Sequence, residues 1–96
     1  MITVLARLKA RPGMESLLAE ECMALAREVR EKEKGCLMYI PHVSKENPAE
    51  VIVFEKYTDQ EALQTHMKSP YFTAVAAKFH EILEGQPVIQ ILKELG

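Results

Sequence analysis

Ninety-six residues with a formal net charge of −2 describe one small domain, which buries only about 60–65% of its unfolded surface and would gain stability from self-association. Near-balanced charge, with no Lys/Arg stripe interleaved with aromatics, argues against a nucleic-acid binder. No apolar run approaches the roughly 20 residues of a membrane span, and no basic stretch leads into an apolar one at the N-terminus, so neither a membrane partner nor a secretory signal is expected.

Ile2 to Lys9 reads as a first strand, with Ile2, Val4, Ala6 and Leu8 on one face and Thr3, Leu5, Arg7 and Lys9 on the other. Arg11-Pro12-Gly13 breaks it. From Met14 to about Glu33 the pattern is helical. Met14, Leu18, Cys22, Leu25 and Val29 form the stripe, with acidic residues early and Lys32 and Lys34 late, as the helix dipole favours. Gly35 is the expected C-terminal stop. Cys36 to Val43 is a second strand, and Pro41 within it points to a sheet edge. The polar turn SKENPAE leads into a third strand, Val51 to Tyr57, rich in β-branched and aromatic residues.

Thr58-Asp59-Gln60-Glu61 matches a capping box with Thr58 as the cap. The short helix it starts carries Ala62, Leu63, His66 and Met67 on one face. Ser69-Pro70 ends that helix and opens the next, with Pro70 at the first helical position. Phe72, Val75, Ala76, Phe79, Ile82 and Leu83 then make an apolar face. Glu84-Gly85-Gln86-Pro87 closes this helix, and Val88 to Lys93 is a last strand.

The order β-α-β-β-α-α-β predicts an α+β, ferredoxin-like split β-α-β plan. Right-handed crossovers put the helices on one face of a four-stranded antiparallel sheet. Both alternating sets of strand residues, including Leu5, Leu37, Val51, Val53, Val88 and Leu92, are largely apolar. A sheet with one wet face should alternate more cleanly. A homodimer packing sheet on sheet is therefore expected, with Leu5 and Val53 among the residues to test in its interface. Cys22 and Cys36 show no metal-ligand spacing and read as small buried hydrophobes of a reducing cytoplasm.

The segments KGCLMYIPHVS and VFEKYTDQEALQTHMKSPYF carry a resemblance to the antibiotic biosynthesis monooxygenase family. The sharpest parts are Gly35-Cys36 leading to Tyr39, then Glu55-x-Tyr57 followed by Ala62-Leu63-x-x-His66-x-x-Ser69-Pro70-x-Phe72. The resemblance spans essentially the whole chain and implies a dimeric α/β barrel. Members include cofactor-free oxygenases of phenols and hydroquinones, haem-degrading proteins and an isomerase of a phosphorylated autoinducer sugar. In such proteins the ligand pocket lies between sheet and helices. The haem-degrading pattern is not matched, because its expected asparagine, tryptophan and axial histidine fall on Ala6, His66 and Ala76. The resemblance therefore implies a quinol-monooxygenase-like protein that takes a small aromatic substrate and O₂, with no cofactor and no metal.

His66 is the candidate base, since histidine changes protonation near neutral pH. A lone histidine on an apolar stripe serves as readily as a structural hydrogen-bonding residue. Tyr71, Phe72, Tyr39 and Phe54 are the candidate substrate-binding residues. Tyr39 faces either the pocket or the dimer interface, and strand parity does not decide between them. Glu55 is expected to pair with a basic residue such as Arg7 at the dimer face, and His42 to lie on the surface. Two other readings stand beside the oxygenase. One is an isomerase of a small sugar phosphate or hydroxyketone, which would want a basic pocket that Lys68 supplies only weakly. The other is a non-catalytic dimeric ligand binder or stress-response protein.

Overall fold

The computed structural model describes residues 1–96. Strand β1 spans Ile2–Lys9, helix α1 Glu15–Lys32, β2 Cys36–Val43, β3 Glu50–Tyr57, α2 Gln60–Lys68, α3 Pro70–Ile82 and β4 Val88–Lys93. The sheet order is β2-β3-β1-β4, antiparallel throughout. This is the ferredoxin-like α+β plan, with Pro41 in an edge strand. No helix is long and apolar enough to cross a membrane.

The core forms where the α1 stripe meets the inner face of the sheet. Leu18, Ala26 and Val29 are completely buried there, together with Cys22 and Leu25, against Ala6, Leu8, Val51 and Val53. A smaller cluster joins Val4, Tyr57 and Leu63 under α2. Strand β4 is different. Ile89 and Ile91 pair with Ala6 and Val4 and share their face, yet both stay exposed because no helix lies over them.

Three local details depart from the sequence reading. The cap of α2 is Asp59, not Thr58. The Thr58 N–H is already committed to the Gly35 carbonyl at 2.9 Å, and the Asp59 carboxylate, on extended backbone, accepts from Ala62 N–H at 2.9 Å. Gly35 does not end α1 in a left-handed conformation, since only Gly13 and Gly85 have positive φ. What Gly35 supplies is close approach: a Cβ there would lie 2.6 Å from Ala62 Cβ. The end of α1 is thereby docked onto the start of α2. Finally, a bulge between Cys36 and Met38 shifts the register of β2 against β3. Cys36 pairs with Tyr57 and Tyr39 with Glu55, so the extra residue turns Tyr39 to the inner face. Parity alone does not decide this.

The Ser69-Pro70 joint forms as expected. The Ser69 hydroxyl donates to the His66 carbonyl at 2.7 Å, closing α2, and accepts from Phe72 N–H at 3.3 Å, opening α3. One side chain thus fixes His66 relative to Phe72.

Candidate active site

Helix α3 does not press fully onto the sheet, and a cavity of about 500 Å³ remains between them. Val4, Ala6, Val53 and Tyr39 form its floor; Leu63, His66, Phe72, Ala76 and Phe79 form its roof. It opens beside the uncovered strand β4 and the Gly85-Gln86-Pro87 turn.

His66 is only 2% exposed. Its ring sits among Phe72, Tyr39 and Tyr57, at centroid distances of 4.8, 5.3 and 5.6 Å. Nδ1 lies 3.0 Å from Glu33 Oε2. Nε2 meets no protein partner and is left toward the cavity. The same Glu33 oxygen accepts the Tyr71 hydroxyl at 2.5 Å, while Glu33 Oε1 is buried with no partner. A carboxylate oriented on one imidazole nitrogen selects the tautomer and aims the other nitrogen. Glu33 also stands at the C-terminal end of α1, where the helix dipole disfavours an anion. It is the main residue that the sequence reading missed. A signal was present, because Glu33 follows Val29 by four residues and continues the apolar stripe in phase.

Glu55 does not pair with Arg7. Arg7 is exposed on the opposite face, opposite Ile52, whereas Glu55 is 5% exposed and lines the cavity. Its one hydrogen bond comes from the Tyr57 hydroxyl, at 2.7 Å to Oε1. Burial pushes its carboxyl up to about 7; the Tyr57 bond opposes the rise and the nearby Glu33 charge adds to it. Burial likewise lifts the Cys22 and Cys36 thiols to about 12 and about 11, so neither is a ready nucleophile.

Of the predicted ligand-contacting residues, Phe72 and Tyr39 lie with His66 in the cavity wall. Tyr71 stands behind the wall, bonded to Glu33, with its hydroxyl held up to about 12 by burial and by that bond. Phe54 is misplaced by the sequence reading. It lies on the far face of the sheet, 43% exposed, with its ring 5.0 Å from that of His42. Strand alternation requires this, since Val53 and Glu55 on either side point inward.

The family profile described as antibiotic biosynthesis monooxygenase matches residues 1–78. The chain belongs to this family. Over 94 residues it is 30% identical to the Mycobacterium tuberculosis protein named "Putative monooxygenase Rv0793", covering 98% of this chain and 91% of that one. The solved structure of that relative superposes with a TM-score of 0.92 at 29% identity, over 99% of this chain and 95% of the other. A Caulobacter crescentus family member gives 0.92 at 33% identity, with 99% and 90% covered. A Pseudomonas aeruginosa structure gives 0.92 at 27%, with 99% and 94% covered.

The cavity lining of this family member holds one arginine, at the rim, and no lysine. Arg11 stands exposed at its rim, with two of its five N–H donors on the carbonyls of Leu83 at 2.9 Å and His80 at 3.0 Å. Lys68, the cation weighed for the sugar-phosphate reading, is exposed and outside the lining. One carboxyl group, that of Glu55, and a largely aliphatic and aromatic wall suit a neutral ligand.

Proposed function

We propose that this protein is a monooxygenase of small quinol- or phenol-type aromatics, with His66 as the base that starts the reaction. The observation that carries this reading is the buried Glu33–His66 pair behind an apolar cavity. Glu33 holds Nδ1, and Nε2 takes the proton of a substrate hydroxyl. The phenolate so formed is electron-rich enough to pass an electron to O₂, and the radical pair collapses to a ring peroxide. Loss of water, with the proton returned from Nε2, completes the balance: a hydroquinone and O₂ give a hydroxyquinone and one water. Phe72 and Tyr39 offer ring faces to the substrate. The apolar wall keeps water from the anion.

A lining with no lysine and a single arginine confined to the rim weighs against the sugar-phosphate isomerase. The homodimer belongs to this proposal as well. Leu5, Ile40, Ile52, Phe54 and Leu92 give the outer face of the sheet an apolar surface suited to a second copy. We place the protein in the cytoplasm, where its two free thiols would stay reduced.

Oxygen uptake with a panel of hydroquinones tests the reading. His66→Ala should lower turnover by roughly 10²–10⁴ with the fold retained, the scale for loss of a general base. Uptake kept in His66→Ala would refute the assignment of the base. No uptake with any quinol, with ligand binding intact, would leave the protein a binder.

A further inference from the structure

Glu55 is the one carboxyl group in the cavity lining, and the proposed reaction does not use it. It sits mid-strand between Val53 and Tyr57, and every apolar neighbour in its register, Val4 included, is buried. Oε1 receives the Tyr57 hydroxyl. Oε2 has no protein partner, yet it is not sealed in as Glu33 Oε1 is, so it opens to the cavity. No lysine or arginine reaches it. The titratable and charged groups around it are Tyr57 on its own strand, Tyr39 and Cys36 from β2, Cys22 from α1 and Glu33 at its C-cap, and His66 from α2, with Arg11, and His80 of α3, in the lining of the same cavity. The tyrosines and cysteines are all pushed up by burial and stay neutral. An isolated carboxylate in such a place is costly, and the acid form is the cheaper one. In that form the carboxyl carries an O–H, and the only open acceptor position for it is whatever fills the cavity.

Glu55 and His66 also flank the same two rings. Tyr57 donates to Glu55 and packs against His66, while Tyr39 lies opposite Glu55 on the adjacent strand and packs against His66 from its other edge. Tyr57 is fully buried behind them, but Tyr39, Glu55 and His66 all line the cavity, so one flat ligand lying on the Tyr39 ring can meet both groups.

We infer that Glu55 is a ligand-binding residue that donates its carboxyl O–H to an oxygen of a neutral aromatic ligand, and so selects ligands with an acceptor oxygen. This rests on the small-aromatic reading of the cavity, but it requires no turnover. It assigns the two ends of the site different tasks: Nε2 of His66 receives a proton, and Glu55 holds an oxygen that keeps its lone pairs.

The test is the binding of duroquinone, a fully substituted, non-ionisable quinone whose oxygens can only accept, followed by calorimetry across pH. For the wild type, affinity should be greatest near about pH 5.5 and fall by about 10–30-fold by about pH 8.5, as the protonated fraction of Glu55 shrinks. Glu55→Gln keeps an acceptor for Tyr57 and a donor for the ligand. It should bind within about threefold of the wild type at the lower pH and hardly change on raising it. Because Glu33 and His66 are unaltered in that variant, the difference between the two profiles isolates Glu55. Glu55→Leu should bind at least about tenfold more weakly than the wild type at the lower pH and hardly change on raising it. The inference is overturned by a flat wild-type profile, by Glu55→Leu binding as the wild type does at the lower pH, or by no wild-type binding at any pH. Should binding follow Glu55 while no quinol supports oxygen uptake, the monooxygenase reading fails and this one stands. Should uptake need His66 while binding ignores Glu55, the monooxygenase reading stands and this one fails.

Discussion

The two faces of the sheet are both apolar, yet they differ in one respect that separates their roles. The inner face carries Glu55 and Tyr57 among its aliphatic residues and faces His66 across the cavity, with Glu33 and Tyr71 bonded behind it. These groups form two hydrogen-bonded sets that meet at the Tyr57–His66 ring contact. The outer face carries Leu5, Ile40, Phe54 and Leu92 with polar groups toward its margins, such as Arg7, His42 and the Lys56–Glu94 ion pair. Hydrophobic area alone therefore does not say which face takes a small molecule. The placement of groups that would be costly to bury unless they act on something does.

The sharpest way to break that comparison is to put one charge on each face at adjacent positions. Val53 was expected at the dimer interface, but it is 3% exposed and lines the cavity. Val53→Asp should destabilise the fold by about 3 kcal/mol or more, because the new carboxylate has no partner. Phe54→Asp should leave urea stability of the subunit nearly intact and shift the sedimentation mass from dimer to monomer. If both variants unfold alike, or the wild type sediments as a monomer, the division of roles between the faces is wrong.

A second, smaller effect belongs to the inner face alone. The folded-state pKa of Glu55 is about 7 against an ordinary value of 4.5. Between those values the folded chain keeps a proton that the unfolded chain releases. The contribution is full below about pH 4.5 and is lost as pH rises through about 7, by at most about 3 kcal/mol. Urea denaturation across this range should show the decline, and Glu55→Gln should remove most of it. A variant with an unchanged pH slope would mean that Glu55 is ionised and solvated in the folded state.

Much of this could be read from the residues. The strand bounds of β2 and β4, the turn at Ser69-Pro70 and the inward face of His66 follow from alternation, a proline and a four-residue spacing, all local signals. What could not be read depends on contacts between distant parts. The bulge at Leu37 adds a residue without any marker in composition, and it decides that Tyr39 faces inward. Glu33 lies 33 residues from His66, so its partner is invisible to any helical period. Its phase with Val29 was the available hint, and the lysines on either side disguised it as part of a solvated helix end. The place of Phe54 on the other face was legible, because it alternates with the inward Val53 and Glu55.

The junction that brings Glu33 to His66 gives the last and smallest expected effect. Gly35 has an ordinary backbone conformation for any residue, so nothing in its φ requires glycine. The requirement is space, because a Cβ would meet Ala62 Cβ at 2.6 Å and Thr58 Oγ1 at 3.3 Å. Neither contact is with the far end of a flexible side chain, so Gly35→Ala must push the end of α1 away from α2. The expected cost is about 1–3 kcal/mol, typical of overpacking. The displacement carries Glu33 with it and loosens its hold on His66 Nδ1, while the outer face is untouched. Turnover should therefore fall along with thermal stability, with the sedimentation mass unchanged. Adding Ala62→Gly removes the opposing Cβ and should restore most of both, apart from about 1 kcal/mol for glycine in a helix. If the double variant is no better than Gly35→Ala, the contact with Ala62 is not what glycine is there to permit.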